Sequence, residues 1–304
     1  MIFGEAKGSK ILNIEKICKK KFGTKKTKEI ILKTGPKKLF VCSKNENTLS
    51  LSLKAWKNLK NKKNLKHIKT LFYVTETPIK QFPGNGFLFA SKINLSNNIQ
   101  VIDINSGCTG FVDALSMCLT SKKNSIIICS ESYSKNNANF NRSISTLFSD
   151  GSSAFIPNLK EMKIIDSSFG YKKNSYEHLE CNIEKNINID GKKVYDFVST
   201  DVYPALIKIL KQNKNKKIDR IYIHQGSKFV VDFLKEKLKK FCNNIPTNIE
   251  KAGNFVSATI PMLISQNIKK KPFRNKENII MCGFGVGLAY SILVLEINKS
   301  KKTR

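Results

Sequence analysis

Hydrophobic positions in this chain fall into short β-branched runs separated by longer segments with helical spacing, the alternation expected of an α/β fold. The stretch that organises the rest is IQVIDINSGCTGFVDALSMCLT, Ile99 to Thr120. Val101–Ile104 has the composition of a buried strand and breaks at Asn105, Ser106 and Gly107. The following segment is apolar almost all round (Phe111, Val112, Ala114, Leu115, Met117, Cys118, Leu119), which predicts a buried helix. Thr70–Val74 and Ser125–Cys129 predict further buried strands, Thr48–Leu59 an amphipathic helix with the only tryptophan, Trp56, and Phe87–Ile93 a short helix after the loop Thr75–Gly86. Nearer the start, helices are predicted from Ile14 to Phe22 and again up to Gly35-Pro36, while Met1–Ile11 barely supplies a strand.

Asn136–Ser145 reads as an exposed loop, and Leu147–Ile156 as a strand pair, or a strand with a tight bend, around an Asp-Gly turn. Residues 157–190 are polar and loop-rich, which places there the join between a first half, 1–160, and a second, 161–304. The second half predicts a helix over Tyr195–Leu210, a strand at Arg220–Ile223, and a helix carrying Val230, Phe233, Leu234, Leu238 and Phe241. A further helix, Phe255–Asn267, opens at Asn254, and strands Ile279–Cys282 and Leu288–Ile297 flank GFGVG. Strand, polar turn and helix thus occur around both Cys108 and His224, a hint of internal duplication.

Composition narrows the class. A chain of 304 residues can bury a large core, as one wide domain or two packed halves. No apolar run approaches the roughly 18 residues of a membrane span, and neither terminus has a secretory pattern. The eight cysteines form no CxxC pair and there are three histidines, which leaves no metal-ligand set and points to a reduced, cytoplasmic protein. The formal charge of +31 invites a nucleic-acid reading, but only four of the 54 basic residues are arginine. The lysines are spread along the chain, with no basic recognition helix or aromatic platform. They are read as solvated surface and, second, as a face for an acidic protein partner.

Candidate chemistry starts at Cys108, at the turn from strand to helix, where free N–H groups and the helix dipole favour thiolate. Taken alone, such a cysteine is as well read as an inert small hydrophobe. His224 closes a buried strand and could be a core histidine, and Asn254 could be a helix cap. GFGVG fails as a dinucleotide loop, because Leu288 stands where the last glycine belongs and a strand follows. Its glycines suit a backbone N–H that must approach a reacting carbonyl closely. Together the four features fit acyl transfer: a thiolate nucleophile, a neutral imidazole and an amide as donors, and backbone N–H groups around an oxyanion.

In that order the motifs resemble those of the β-ketoacyl-acyl-carrier-protein synthase III enzymes of the thiolase superfamily. DINSGCTGF resembles the nucleophile motif, IHQGS the histidine motif, GNFVSATIP the asparagine motif and GFGVGL the terminal glycine loop. KTGPKK, QFPGN, LFSDG and DGKKVYDF add weaker matches, and the whole set spans residues 11 to 297. The resemblance implies a five-layered α-β-α-β-α fold of two pseudo-repeated halves, a homodimer, and no cofactor beyond CoA and carrier-protein thioesters. It implies that Cys108, its pKa lowered at the helix N-terminus, takes an acyl group from acyl-CoA. The N–H groups of Cys108 and Val286 then form the oxyanion hole, and His224 and Asn254 hold the enolate left when malonyl-carrier protein loses CO2. Lys33, Phe82, Arg142 and Phe284 fall at substrate-binding positions, and Lys228 and Lys237 are candidates for docking acyl carrier protein.

Departures from the family pattern are specific. Glu29 stands where some members stack an aromatic residue on adenine, HQGS replaces HQAN, and Phe229 occupies a position where a docking arginine can lie. VGL replaces GGF in the last loop. The weak opening segment predicts a lost edge strand or a start upstream of Met1. These departures keep an alternative open, an acyltransferase that passes the group to an alcohol or amine in a specialised pathway such as surface-glycan modification. A non-catalytic basic binding protein is the third reading.

Overall fold

The structure is a computed structural model and describes residues 1–60, 67–136, 142–182 and 187–299. In chain order the first part contains β1 (Ile2–Lys7), β2 (Lys10–Asn13), α1 (Ile14–Thr34), β3 (Lys38–Val41), α2 (Thr48–Lys57), β4 (Thr70–Val74), α3 (Asn85–Lys92), β5 (Gln100–Ile104), α4 (Gly107–Ser121), β6 (Ser125–Glu131), α5 (Arg142–Ser145) and β7 (Gly151–Ile156). There follow β8 (Met162–Tyr171), β9 (Leu179–Cys181), β10 (Ile187–Ile189), α6 (Gly191–Phe197), α7 (Tyr203–Gln212), β11 (Ile218–Ile223), α8 (Lys228–Leu238), α9 (Ile249–Ala252), α10 (Thr259–Lys270), β12 (Glu277–Gly285) and β13 (Ala289–Ile297). Local chemistry sets several boundaries. Asn47 and Ser50 close a capping box at the start of α2. Gly23, at φ +75°, splits α1 at the position where two helices are predicted.

Two sheets carry the architecture, one ordered β1-β7-β6-β4-β5 and the other β11-β12-β13-β8. Alternate residues of each strand face opposite ways, so each sheet divides its apolar side chains between two cores. Ile127 and Cys129 of β6 share a core with α4, α10, and Ile279 and Met281 of β12. Ile126 and Ile128 turn outward onto Ala55, Trp56 and Phe89. In the same way Ile280 and Cys282 turn outward to meet Leu206, Ile209 and Leu234 of α7 and α8. Three cores separated by two sheets make the five layers α-β-α-β-α, with α4 and α10 in the centre, buried on both sides as the all-round apolar pattern of α4 requires.

The pairing pattern repeats. β4 and β6 are parallel, β6 and β7 antiparallel, and β7 and β1 antiparallel. β11 and β12, β12 and β13, and β13 and β8 follow the same sequence of directions. This correspondence corrects the phase of the duplication read from sequence. His224, after β11, matches Thr75, after β4. The counterpart of the Cys108 turn, which precedes the central helix α4, is the Asn254 turn, which precedes α10.

Four further expectations are corrected. The opening segment does form a strand, β1, paired with β7 over Ile2 to Lys7; Glu5 and Lys7 disguised it, being polar at an outer edge. The loop-rich reading of 157–190 missed β8, a ten-residue strand pairing with β13 from Met162 to Tyr171. Its Asp166-Ser167-Ser168 stretch looks loop-like but lies in an edge strand with half-exposed faces. Leu147–Asp150 precedes β7 without forming a hairpin, and Phe148 bridges Asn254 instead. The helix expected from Phe255 starts as a 3-10 turn, Val256–Ala258, with α10 beginning at Thr259. Residues 137–141 of the exposed loop expected at Asn136–Ser145 lie outside the described residues, and its end forms the single turn α5, with Ile144 buried. Among the described residues no helix is long and apolar enough to cross a membrane.

Candidate active site

Cys108 lies in the first turn of α4, buried, with 7% of its surface exposed. Its own backbone N–H and that of Val286 are the groups that act to lower its pKa. Val286 reaches it because the loop ending β12 has no side chains in the way: a Cβ at Gly285, where φ is +156°, would sit 2.8 Å from Cys108 Sγ. A Cβ at Gly283 would sit 2.6 Å from the Cys108 carbonyl oxygen. Gly283 and Gly285 are therefore needed for close approach, and they bring the loop of Val286 against the Cys108 thiol.

The resting thiol departs from expectation. Burial, and then the nearby carboxyls of Glu76 and Glu131, push the Cys108 thiol well above its ordinary value, and the two N–H groups only partly oppose this. The helix terminus favours thiolate, but desolvation of the anion outweighs it.

His224 is also buried, and burial pushes its imidazole down to about 3, so it is neutral at ordinary pH. Its Nδ1 has no hydrogen-bond partner, and the ring meets that of Phe284 edge-on at 5.5 Å between centroids. Phe284 is therefore a wall behind the imidazole. Asn254 is held so that its amide is oriented: Oδ1 accepts from the Val256 N–H at 2.8 Å and from the Thr259 hydroxyl at 3.1 Å. Its Nδ2 donates to the Gly226 carbonyl at 3.4 Å, beside His224. The capping and functional readings of Asn254 are thus compatible, since the oxygen caps the turn and the NH2 remains for another acceptor. Val256 packs with Cys108, Tyr133 and Ile144, and its φ of +51° is rare for a β-branched residue.

A cleft of about 740 Å³ approaches this group. Lys33 and Arg142 both line it, with Lys26, Lys192, Glu29 and Phe229. Its inner residues connect with the site: Leu147 accepts the Asn254 N–H at 2.9 Å, and Ile189 packs against the Cys108 cluster. Glu29 is tied to Lys26 at 2.7 Å, so its charge is partly answered. Phe82 does not line the cleft and is 81% exposed on another face. Lys228, at the start of α8, pairs with Asp232 at 2.5 Å, and Lys237 is exposed on the same helix.

Sequence reading missed a cluster of polar groups beside the thiol. The Tyr133 hydroxyl donates to Glu76, and the Tyr133 ring packs against Cys108. Glu131 accepts from Ser257 at 2.6 Å, from Thr77 at 2.8 Å and from the Glu76 N–H at 3.1 Å. Thr75-Glu76-Thr77 follows the buried run of β4 as His224-Gln225 follows that of β11, and this polar break after an all-apolar strand was the available signal.

Comparison with known proteins agrees with this geometry. The family model described as 3-oxoacyl-[acyl-carrier-protein (ACP)] synthase III matches residues 102–172, and its C-terminal companion matches residues 211–297, together more than half of the chain. The beta-ketoacyl-[acyl-carrier-protein] synthase III of Clostridium perfringens (strain SM101 / Type A) is 28% identical over 290 residues, covering 87% of this chain and 89% of that protein. Among solved structures, the synthase III of Thermus thermophilus superposes with a TM-score of 0.84 at 18% identity, covering 99% of both chains. The priming β-ketosynthase of the R1128 polyketide pathway gives 0.82 at 18% identity, over 99% of this chain and 96% of that one. With a five-layered fold and both halves of the family pattern in register, the chain belongs to the 3-oxoacyl-[acyl-carrier-protein] synthase III family of the thiolase superfamily, a family of acyl-transferring enzymes.

Proposed function

We propose that this protein condenses an acyl thioester with malonyl-acyl-carrier protein, with loss of CO2, to give a 3-oxoacyl-carrier protein that begins a fatty-acid or related acyl chain. The observation that carries the reading is the close approach of the glycine loop to Cys108, where a Cβ at Gly285 would sit 2.8 Å from the thiol sulfur. Cys108 takes the acyl group from acyl-CoA, and the two N–H groups hold the tetrahedral oxyanion. The neutral His224 and the free N–H of Asn254 donate to the thioester enolate of the decarboxylated malonyl group, whose carbanion attacks the acyl-Cys108. Lys33 and Arg142 hold phosphate groups in the cleft, and no cofactor beyond the thioesters takes part. Lys228 and Lys237 present positive charge to the acidic carrier protein. The working form is a homodimer: β5 leaves one sheet edge unpaired, and Phe82 and Phe87 nearby are 81% and 55% exposed.

The test is intact-mass analysis with a panel of acyl-CoAs, followed by malonyl-carrier protein. An acyl adduct that is absent in Cys108→Ala, and that is consumed to give a ketoacyl-carrier product with release of CO2, is the expected result. An adduct that persists in the presence of malonyl-carrier protein refutes condensation and favours transfer to an alcohol or amine.

A further inference from the structure

Glu76 has no place in the reaction described above, yet it is built into the nucleophile's turn. Gly107, immediately before Cys108, has φ +41°, and a Cβ there would overlap the Glu76 carboxylate, so the chain narrows to glycine where that side chain passes. One carboxylate oxygen accepts the Tyr133 hydroxyl, while the other makes no hydrogen bond among the described residues. The contrast with Glu131 is informative. Glu131 accepts from two threonine hydroxyls, a serine hydroxyl and a backbone N–H, and is saturated as a structural acceptor. Glu76 is half-buried and keeps acceptor capacity beside the thiol.

We infer that Glu76 is the proton acceptor for Cys108 during acylation. As Sγ attacks the thioester carbonyl, the S–H bond breaks and an O–H bond forms on Glu76. When the C–S bond to the leaving group breaks, Glu76 returns that proton to the departing thiolate. The bonds and protons balance, and no further reactant is needed. Two observations make an acceptor necessary. The resting thiol is held protonated by burial and by the facing carboxyls, and His224, pushed down to about 3, is a weak base. Glu76 has the opposite tendency: burial raises its carboxyl toward the range where a general base works near neutral pH. The titratable groups facing it are Glu131, Tyr133 and Cys108; the Tyr133 hydrogen bond lowers it, while its own charge raises Glu131. Thiol and carboxyl are not hydrogen-bonded at rest, so the proton crosses through a bridging water or as the site tightens around a bound thioester.

This inference rests on acyl-Cys108 formation in the proposed function but not on condensation. The experiment is single-turnover acetylation of Cys108 by p-nitrophenyl acetate across pH 5–9, read by intact mass against Cys108→Ala, alongside alkylation by iodoacetamide. In the unaltered protein the acetylation rate rises with pH along a limb belonging to the carboxyl pair. Glu76→Gln preserves the shape and the acceptor for Tyr133; it is expected to lose that limb and to acetylate about 100-fold more slowly near neutrality. Its alkylation shifts the other way, to lower pH, because a negative neighbour of the thiolate is gone. Acetylation by Glu76→Gln that is unchanged, or faster in parallel with alkylation, overturns the inference. Tyr133→Phe is the second variant, valid even where Glu76→Gln does not fold: losing the donor raises Glu76, so the limb moves to higher pH, and an unmoved limb refutes the role. Neither reagent involves malonyl-carrier protein, so a failure of condensation leaves both results readable.

Discussion

The turns at Gly107-Cys108 and Gly253-Asn254 occupy matching places in the two halves and do opposite work. Each puts a glycine with positive φ, +41° and +73°, immediately before the functional residue, at the approach to a central helix. In the first, the backbone N–H of the functional residue acts on its own thiol, lowering its pKa. In the second, the backbone N–H is committed to the Leu147 carbonyl at 2.9 Å, and only the side-chain amide is left to donate. In the proposed function, one turn geometry thus serves a nucleophile with its oxyanion donor in one half and a second-stage donor in the other. The strands that precede them differ in the same sense. β4 runs into Glu76, which stays available, while β11 runs into Gln225, whose amide is used up on the Ile223 carbonyl at 2.9 Å and the Asn248 N–H at 3.1 Å. Proton and acyl chemistry concentrate in the first half, neutral hydrogen-bond donation in the second.

The largest expected break in this division comes from Asn254→Ala. Condensation should fall about 10²–10³-fold, the usual cost of one lost oxyanion-type donor, while the acyl adduct on Cys108 still forms. Equal loss of both steps, measured by adduct mass and CO2 release, would deny the division. Gly285→Ala tests the other side. The added Cβ displaces the loop from Cys108 Sγ, and acylation itself should slow by about 10²-fold with the fold intact, measured by single-turnover adduct formation and circular dichroism. Gly253→Ala sharpens the comparison through stability: a non-glycine residue at φ +73° is expected to cost about 1–3 kcal/mol in urea unfolding.

Legibility in the sequence followed the same lines. Cys108, His224, Asn254 and the loop of Val286 could be found because each sits at an abrupt change from an apolar run to glycine or a polar residue. Glu76, Glu131 and Tyr133 could not be assembled, because they come from three points that only the neighbouring ends of β4 and β6 and the chain just beyond them bring together. The edge strands β1 and β8 were hidden for simpler reasons: β1 is short and carries Gly4, Glu5 and Lys7, and one face of β8 meets water. The thiol's state was misjudged because spacing reveals a helix terminus but not the burial that opposes it.

The last test concerns His224 and pH. Its folded value, about 3, lies below the ordinary 6.5, so between those pH values the unfolded chain takes up a proton that the folded chain refuses. Stability therefore declines as pH falls through that window, by about 1.4 kcal/mol per pH unit. His224→Gln should lack this contribution, visible as a flatter Tm against pH, and an identical slope in both proteins would show that the imidazole is not held neutral.

The hairpin of β12 and β13 also fixes when the protein becomes reactive during its own synthesis. β1 finds β7, and β4 finds β5 and β6, before residue 160 is made, so the first sheet can close early around Cys108. Asn254 and Val286 leave the ribosome much later. A chain of the first half alone carries Cys108 without the N–H group of Val286 and without the part of the central core that α10, β12 and β13 supply.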